Sequence, residues 1–390
     1  MLASLKEPNT PVAAAAAPSA SDMDALLRDI RARRKEFEAQ RFISPDIIQR
    51  FKQVGVYRAL VAKRFGGDEK SPAEFCELVE TISRADGSAG WVASFGIGGV
   101  YLAALPLATL EKLYANGPDV VFAGGIFPPQ PAELVEGGYK VNGRWSWGSG
   151  SMGAEVVGAG ILPKNADGSG LPRMAVMPRD KVQIAPNWDV MGLLGTGSHD
   201  IVVKDVVVPE EWTFVRGGAS SLDTPLYRYP TLSFAAQVLT VVGLGIARAA
   251  IDEVIGMAVG RASVTGAPNL GERVYVQLEM ARIDAELRAA RAWFYQAIDD
   301  VWQVLLAGGK PSDQQVSMLR LSTTHASRVA ADVTRRAQMV SGGSGVYESC
   351  PLAAQVRDVQ MITQHAFMGD ITYQNAGAMM FGLKPLPGYL

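Results

Sequence analysis

The first third of the chain has apolar residues at helical spacing, interrupted by short polar segments that can cap helices. A charged amphipathic run, RDIRARRKEFEAQ, covers residues 28–40. Ser44-Pro45-Asp46 can begin the next helix because proline is tolerated in the first helical turn. Ser71-Pro72 opens a further amphipathic run, FCELVETISRAD. The pattern from residue 21 to residue 118 therefore predicts roughly four to six helices.

Between residues 119 and 222 the pattern changes to that of β-strands. Short runs rich in β-branched residues recur about every ten residues, and Gly, Pro and Asn separate them. The runs are VVFAGG, GYKVNGRWSW, EVVGAGIL, RMAVMP, VQIAP and HDIVVKDVVVP. In the second run, Asn142-Gly143 is a strong signal for a two-residue hairpin turn. Short strands at this spacing predict an antiparallel barrel or sandwich.

Helical spacing returns after Tyr229-Pro230. From Val274 to Leu306, apolar residues recur at intervals of three and four, which predicts one long helix. A second stripe consists mostly of small residues, which allow helices to approach closely: Val316, Leu319, Thr323, Ala326, Ala330, Val333, Ala337 and Val340. Together with Leu232–Val259 and a C-terminal helix, these runs predict a four-helix bundle.

The expected fold is α+β and mostly α. We assign residues 1–20 to a disordered tail, 21–118 to an N-terminal helical domain, 119–222 to a central β domain and 223–390 to the C-terminal four-helix bundle. The tail is rich in Ala and Pro and lacks the leucine-rich core of a signal peptide. Leu232–Val259 is strongly apolar, but a glutamine and three charged residues interrupt it, which favours a buried helix over a membrane span.

Composition favours a small-molecule partner. The chain has 390 residues, a formal charge of −2 and 19% charged residues, so it lacks the basic field that attracts nucleic acid or an anionic membrane. Two cysteines, Cys76 and Cys350, cannot build a disulfide framework, which fits a reducing cytoplasm. Three isolated histidines and two distant cysteines give no metal-ligand spacing. No G-x-G-x-x-G motif opens a βαβ unit, so the sequence does not indicate an NAD(P)H site of its own.

The main candidates for catalytic residues lie near the end of the chain, where a glycine turn at Gly342–Tyr347 precedes Arg357-Asp358 and His365. Taken with Trp188–Asp200 and Val206–Glu210, this stretch resembles the acyl-CoA dehydrogenase superfamily over nearly all of the chain after residue 20. Within that superfamily, the chain is most similar to the oxygenase components of two-component flavin monooxygenases. The resemblance implies a homotetramer whose helical bundles pack together.

The residues seven and eight positions after Asp358 distinguish dehydrogenase activity from monooxygenase activity. Acyl-CoA dehydrogenases often place a Tyr-Glu pair there, and the glutamate removes the substrate α-proton; this chain has His365 and Ala366 instead. A methyl group cannot accept a proton, so dehydrogenation with that base is excluded unless another carboxylate substitutes. In the monooxygenase branch a histidine follows Arg-Asp at this spacing, near the flavin C4a edge. The resemblance therefore implies that His365 donates a hydrogen bond to a flavin peroxide.

The W-x-W-x-S-G segment at Trp145–Gly150 is a second candidate site. Its glycines leave the backbone free to approach a flat ligand. From the residues alone, Ser149 could equally be a turn serine that bonds its own backbone, and Ser146 and Ser151 are close by. In the related monooxygenases a serine of this pattern lies beside flavin N5. The resemblance therefore assigns Ser149 to catalysis and, with Trp147, to flavin binding.

The resemblance assigns three further segments to the flavin. Arg261 begins RASVTGAP and is similar to the arginine of a flavin-binding R-x-x-(F/W)-G segment, although Val264 replaces the aromatic residue and a solvated helix-end arginine is the alternative. Gly195-Thr196-Gly197-Ser198 is a weak phosphate-loop signal alone, but resembles a flavin-facing turn in which Thr196 or Ser198 donates hydrogen bonds. Gly343 is assigned to the flavin with the glycine turn. His199 is expected to be exposed in a polar turn.

The lack of a histidine in the first half of the chain limits the range of possible substrates. Phenol-hydroxylating relatives carry a histidine that helps to form the phenolate, at a position equivalent to about Gly98 here, and residues 1–197 contain no histidine. An indole or another electron-rich heteroaromatic needs no such base. Five side chains could line a pocket for it, with core packing as the alternative for each: Trp91, Phe95, Tyr101, Phe367 and Met368.

We therefore expect an oxygenase component that receives reduced FMN or FAD (FMNH₂ or FADH₂) from a separate NAD(P)H:flavin reductase. With O₂ it would form a C4a-hydroperoxide and hydroxylate or epoxidise a small aromatic substrate, such as indole-3-acetate. The alternatives are an FAD-containing acyl-CoA dehydrogenase-like oxidoreductase, a phenol- or heteroatom-oxidising monooxygenase, and a non-catalytic scaffold. No nucleic acid, membrane or metal partner is expected, and the location is cytoplasmic.

Overall fold

The computed structural model describes residues 20–163, 172–258 and 268–386. Apart from Ala20, the predicted tail lies outside this part of the chain, as does Arg261. The elements follow the predicted order of helices, strands and helices, and the α+β, mostly α class is confirmed.

Seven helices lie among residues 20–113, one more than the upper end of the prediction. Their starts follow the capping signals. The Ser71 hydroxyl accepts from Glu74 N at 3.2 Å and the Glu74 carboxylate accepts from Ser71 N at 2.8 Å, while Asp86 Oδ1 accepts from Ala89 N at 2.8 Å. The helices are α1 (Ala20–Ala32), α2 (Arg34–Gln40), α3 (Pro45–Gln53), α4 (Pro72–Ser83), α5 (Gly87–Ser94), α6 (Gly98–Leu102) and α7 (Leu107–Leu113).

The central segment forms one seven-stranded sheet with the order β5-β6-β2-β1-β3-β4-β7. The expectation of an antiparallel barrel or sandwich is wrong in one respect, because β1 and β3 pair in parallel. The other pairings are antiparallel. The strands are β1 (Phe122–Val135), β2 (Gly138–Trp145), β3 (Val156–Pro163), β4 (Arg173–Pro178), β5 (Gln183–Ala185), β6 (Asp200–Val208) and β7 (Thr213–Val215).

The predicted hairpin turn at Asn142-Gly143 is also wrong. These residues lie inside β2, where the register against β6 shifts between Val141 and Gly143. Asn142 bonds across the irregularity, since its Oδ1 accepts from Asp205 N at 2.7 Å. The tight connection falls instead between Val135 and Gly138, which are paired across β1 and β2. Gly137 has a positive φ of 92° there, a conformation that glycine adopts without strain.

The C-terminal helices pack around α9, whose side chains are buried from Ser233 through Ala247. By length and composition α9 could cross a membrane, yet 94% of its most apolar window is buried inside the protein, which is the property of a core helix. The long predicted helix is confirmed as α10, with Phe294 and Ile298 fully buried. The helices are α8 (Pro225–Arg228), α9 (Thr231–Ala258), α10 (Val274–Leu306), α11 (Asp313–Val340), α12 (Pro351–Thr363) and α13 (Ile371–Met380).

One contact joins the sheet to the bundle and thereby brings the sequence motifs together. In the loop from Trp188 to Asp200, between β5 and β6, the Gly192 backbone lies so close to Arg357 O that a Cβ would clash. The next residue, Leu193, donates its backbone N–H to Asp358 Oδ1 at 2.6 Å. The Arg-Asp motif of α12 therefore holds the loop that carries Thr196 and Ser198.

Candidate active site

A chain of side-chain hydroxyls lies where the turn after β2 meets the loop before β6. Ser149 Oγ is 2.6 Å from Ser198 Oγ, and Ser198 Oγ is 2.7 Å from Thr196 Oγ1. Trp91 Nε1 donates to Ser149 Oγ at 3.2 Å at one end, and Thr196 Oγ1 donates to Leu193 O at 2.9 Å at the other. All three hydroxyl-bearing side chains are buried.

The bond from Thr196 to the Leu193 carbonyl oxygen sets the direction of all the hydrogen bonds between these hydroxyls. A carbonyl oxygen only accepts, so the hydrogen of Thr196 must point at Leu193 O. Each hydroxyl has one hydrogen, so Ser198 donates to Thr196 and Ser149 donates to Ser198. Ser149 thus has no hydrogen left for a further partner. Its oxygen receives the Trp91 N–H and keeps one lone pair that can accept.

His365 is placed as a neutral hydrogen-bond donor. It precedes a short 3₁₀ turn, Ala366–Met368, and its Nδ1 accepts from Phe367 N at 3.2 Å. Burial, and then the positive charges of Arg216 and Arg320, lower the pKa of His365 to about 4. At neutral pH the ring is therefore uncharged, and because Nδ1 accepts, Nε2 carries the hydrogen.

Trp91 of α5 lies between the two predicted catalytic residues. Its ring centre is 6.1 Å from that of His365, while its indole N–H bonds Ser149. The ring centre of Phe367 is 4.9 Å from that of His365. The structure therefore groups Ser149, Ser198, Thr196 and His365, as well as the aromatic residues Trp91 and Phe367.

Two arginines that the sequence did not single out face the same group. Arg320 of α11 donates from Nη2 to Phe367 O at 2.9 Å, and its guanidinium lies 5.5 Å from the Phe367 ring centre. Arg216, directly after β7, donates to the Tyr101 hydroxyl at 3.3 Å and lies over the Tyr101 ring at 4.7 Å. The sequence held a signal for Arg320, because it is four residues after Val316, the first residue of the apolar stripe.

Asp358 is the acid of α12 that bonds the loop. Burial, and then the negative charge of Asp86, raise the pKa of Asp358 to about 7. Its Oδ1 is occupied by Leu193 N, and a Cβ on Gly87 would lie 3.0 Å from its other oxygen. We assign Asp358 to positioning the loop.

The other predicted flavin- and substrate-binding residues have fewer contacts with the group around His365 and Ser149. Trp147 is 66% exposed at a positive φ of 61°, and Gly343 is exposed in the 3₁₀ segment Gly342–Val346. Phe95 packs against the bundle core. Met368 is buried, with its sulfur 3.4 Å from Thr240 Oγ1, a contact within that core. Their proposed contacts with a flavin or a substrate remain predictions, as does the role of Arg261.

The expectation of an exposed His199 is wrong. Its side chain is buried, and its Nδ1 accepts from the backbone N–H groups of Asn187 at 3.1 Å and Trp188 at 3.0 Å. Burial lowers its pKa. A polar turn suggested exposure, but two backbone donors in that turn need an acceptor, which the imidazole supplies.

The structure leaves little room for a histidine side chain at position 98, which is Gly98 in this chain. A Cβ at Gly98 would lie 2.9 Å from Phe122 Cβ, so a histidine there would require the backbone or Phe122 to move. Among the described residues, no group of three His, Cys, Asp or Glu side chains could hold a metal ion.

A cleft of about 460 Å³ between α4, α9 and α10 contains none of the predicted site residues. Its arginines are paired with acids, as Arg291 with Glu80 at 2.7 Å and Arg248 with Asp284 at 2.6 Å. The group around His365 and Ser149 is therefore the candidate active site.

Comparison with known proteins gives consistent results. Residues 237–370 match the family described as acyl-CoA dehydrogenase, C-terminal domain. The chain is 62% identical over 379 residues to indole-3-acetate monooxygenase of Pseudomonas putida, covering 97% of both chains. It is 28% identical to the flavin-dependent monooxygenase oxygenase subunit HsaA of Rhodococcus jostii, covering 88% of this chain and 93% of the relative. The crystal structure of 3-HSA hydroxylase from Rhodococcus sp. RHA1 superimposes with a TM-score of 0.87 at 26% identity, covering 95% of this chain and 98% of that one.

Proposed function

Because the chain belongs to the oxygenase components of flavin-dependent monooxygenases, within the acyl-CoA dehydrogenase superfamily, we propose that it oxidises indole-3-acetate with O₂ and a reduced flavin. The substrate is supported by the name of the relative that is 62% identical. The reaction inserts one oxygen atom into the indole ring system, by hydroxylation or epoxidation.

The observation that carries this proposal is the state of His365. An uncharged imidazole with its hydrogen on Nε2 is a donor, while the neighbouring Ala366, at the position where a dehydrogenase has its glutamate, has no acid–base group. This pair of residues suits oxygen transfer and does not suit α-proton removal.

The residues around Ser149 fit a reduced flavin. Such a flavin carries a hydrogen on N5, and Ser149 offers an oxygen with a free lone pair and no hydrogen to compete. Ser151 Oγ is buried with no partner among the described residues, so it can bond a polar group of a ligand. Gly148 and Gly150 carry no Cβ on the turn that holds Ser149.

Each group of this site then has a definite task. When bound, the reduced flavin supplies the two electrons that activate O₂. Ser149 would accept the hydrogen of N5 and hold it in place, with Ser198 and Thr196 fixing its orientation. His365 would donate a hydrogen bond from Nε2 toward the reacting oxygen. Trp91 and Phe367 would exclude water and contact the aromatic substrate.

We also propose the partners and the assembly that the family resemblance implies. A separate NAD(P)H:flavin reductase would supply FMNH₂ or FADH₂. The protein would be a homotetramer, with Trp147, Arg261 and Gly343 contacting flavin at subunit boundaries. A cytoplasmic location is supported by the two cysteines, Cys76 and Cys350, which are not joined in a disulfide.

The test is turnover with a generic flavin reductase, NADH, FMN or FAD, and indole-3-acetate. We expect a product heavier by one oxygen atom, detected by mass spectrometry, with ¹⁸O incorporated from ¹⁸O₂. A protein that purifies with FAD and reduces it with an acyl-CoA, without oxygenating any indole, would refute the proposal and favour the dehydrogenase alternative.

A further inference from the structure

We propose that Arg216 and Arg320 together form the binding site for the carboxylate of the substrate. The inference rests on the proposed function and makes it more specific. The enzyme would select indoles that carry an anionic side chain, and the two guanidinium groups would fix how the ring is presented to His365.

Arg320 is a buried cation without a counter-ion among the residues that the structure describes. It is 6% exposed, and its Nη1 has no hydrogen-bond partner among the described residues. Burial lowers its pKa to about 10, which reflects the cost of keeping the charge out of water. A buried donor without a partner destabilises the protein, so its retention points to a ligand that supplies the acceptor.

The other arginines of α11 differ from Arg320. Arg328 pairs with Asp370 at 2.6 Å, Arg335 with Asp332 at 2.7 Å, and Arg336 with Glu286 at 2.6 Å. Within the part of the chain that the structure describes, Arg320 forms no such ion pair. The helix therefore neutralises the arginines that face solvent and leaves the one that faces the active site without an acid.

Arg216 has the same property. Its Nη2 donates to the neutral Tyr101 hydroxyl, and its Nε is buried with no partner among the described residues. It forms no ion pair with any described carboxylate. Stacking over the Tyr101 ring holds the guanidinium plane without neutralising its charge.

The two cations act on one place. Both lower the pKa of His365, and among the described groups no carboxylate contributes in the opposite direction. Phe367 connects Arg320 to the histidine, since its ring lies 4.9 Å from the ring of His365 and 5.5 Å from the Arg320 guanidinium. Arg216 is held from the side of Tyr101. The site therefore combines aromatic surfaces with two positive charges, which matches an aromatic ring carrying a carboxylate.

The test compares three ligands that differ in the side chain: indole-3-acetate, the neutral indole-3-acetamide, and indole. Equilibrium dialysis under anaerobic conditions with reduced flavin measures binding, and KM and kcat are measured separately with O₂. We expect indole-3-acetate to bind at least tenfold more tightly than the acetamide. Arg320→Met should weaken indole-3-acetate binding by about 10- to 100-fold, the effect of losing a charge-assisted hydrogen bond.

The weakening should appear in Kd and KM and not in kcat, and it should reduce the preference for the acid over the amide. Arg320→Lys should restore part of that preference. Arg328→Met, on the same helix but paired with Asp370, is the matched control and should not change the preference.

Two kinds of failure can be told apart. Oxygenation of no indole by the unaltered enzyme would refute the proposed function. Oxygenation of indole-3-acetate with equal affinity for the acid and the amide, in the unaltered enzyme and in Arg320→Met, would refute the carboxylate site alone. If Arg320→Met does not fold, the acid-to-amide ratio of the unaltered enzyme and of Arg216→Met gives the decision.

Discussion

Ser149 lies at one end of a chain of hydroxyls whose hydrogens all point toward Leu193 O. This direction has a consequence for the oxidation state of the flavin. Reduced flavin has a hydrogen on N5, whereas oxidised flavin has a lone pair there. If Ser149 lies at flavin N5, as proposed, a serine that can only accept favours the reduced form.

Ser198→Ala should weaken this discrimination. Without Ser198, the hydrogen of Ser149 loses its acceptor and can turn to N5 of oxidised flavin. We expect the ratio of Kd for oxidised to Kd for reduced flavin to fall about tenfold, the effect of one hydrogen bond. Anaerobic fluorescence titrations measure both constants. Thr196→Ser, which keeps every hydroxyl, is the control, and an unchanged ratio in Ser198→Ala would refute the proposed direction.

His365→Ala should separate oxygen consumption from product formation. Trp91 lies between His365 and Ser149, the proposed flavin contact. The affinity for reduced flavin should therefore remain close to that of the unaltered enzyme. Without the Nε2 donor, NADH oxidation should yield hydrogen peroxide in place of oxygenated product, with product per NADH reduced by about 100-fold. Peroxide and product are quantified in the same reactions. Equal coupling in both proteins would remove His365 from the mechanism.

The pKa of His365 also predicts a pH effect on stability. In the unfolded chain His365 binds a proton near its ordinary pKa of about 6.5, but in the folded protein only near 4. Acid therefore favours unfolding, and stability is lost as the pH falls from about 6.5 toward 4. His365→Asn, whose side chain can still accept from Phe367 N, should lose about 1–3 kcal/mol less over this range. Denaturant titrations at several pH values measure the difference.

Prediction from sequence was uneven at the residue scale. His365 and Ser149 belong to local motifs, so their grouping could be expected from the resemblance. Arg216 and Arg320 could not be identified from local motifs. What distinguishes them is that neither forms an ion pair with a described carboxylate. That property depends on segments distant in sequence and exists only in the folded chain.

At the scale of elements, α9 approaches α4 at a glycine. A Cβ on Gly245 would lie 2.5 Å from Glu80 O and 2.9 Å from Arg84 N. Gly245→Ala should therefore separate the helices and destabilise the protein by about 1–3 kcal/mol. Gly256 on the same helix has no atom within 4 Å of its Cβ position, and Gly256→Ala should stabilise by roughly 0.5–1 kcal/mol. Thermal unfolding of the two variants should shift in opposite directions, and a common shift would contradict this account.

The helices were more predictable than the sheet for a physical reason. The bounds of α10 match the predicted Val274–Leu306, because an amphipathic period is a local property. Strand pairing is not local, so the parallel contact of β1 with β3 could not be expected from strand spacing. Asn142-Gly143 favours a turn locally, but pairing of β2 with β6 overrides that preference.

At the scale of the whole molecule, several large apolar side chains of the C-terminal region are exposed. Phe381 is 84% exposed, Met380 73% and Tyr275 58%. Large exposed apolar side chains are frequent at interaction surfaces, and the proposed tetramer would cover these. Analytical ultracentrifugation should give about four times the 41.6 kDa of one chain.

Phe381→Asp should dissociate this assembly, since a carboxylate would be buried at the interface. The control is Leu134→Asp, which changes a residue that is 64% exposed on β1. A monomeric unaltered protein, or a Phe381→Asp tetramer as stable as the original, would contradict the proposed interface. Loss of flavin binding together with the tetramer would support sites completed across subunits.

The missing counter-ion of Arg320 also concerns the lifetime of the protein. If the substrate supplies that counter-ion, the folded chain without substrate has a defect in its interior that the bound chain lacks. Ligand binding then raises the free energy of unfolding, and the bound enzyme should resist proteases longer. In a cell, enzyme abundance would follow the supply of substrate even at a constant rate of synthesis.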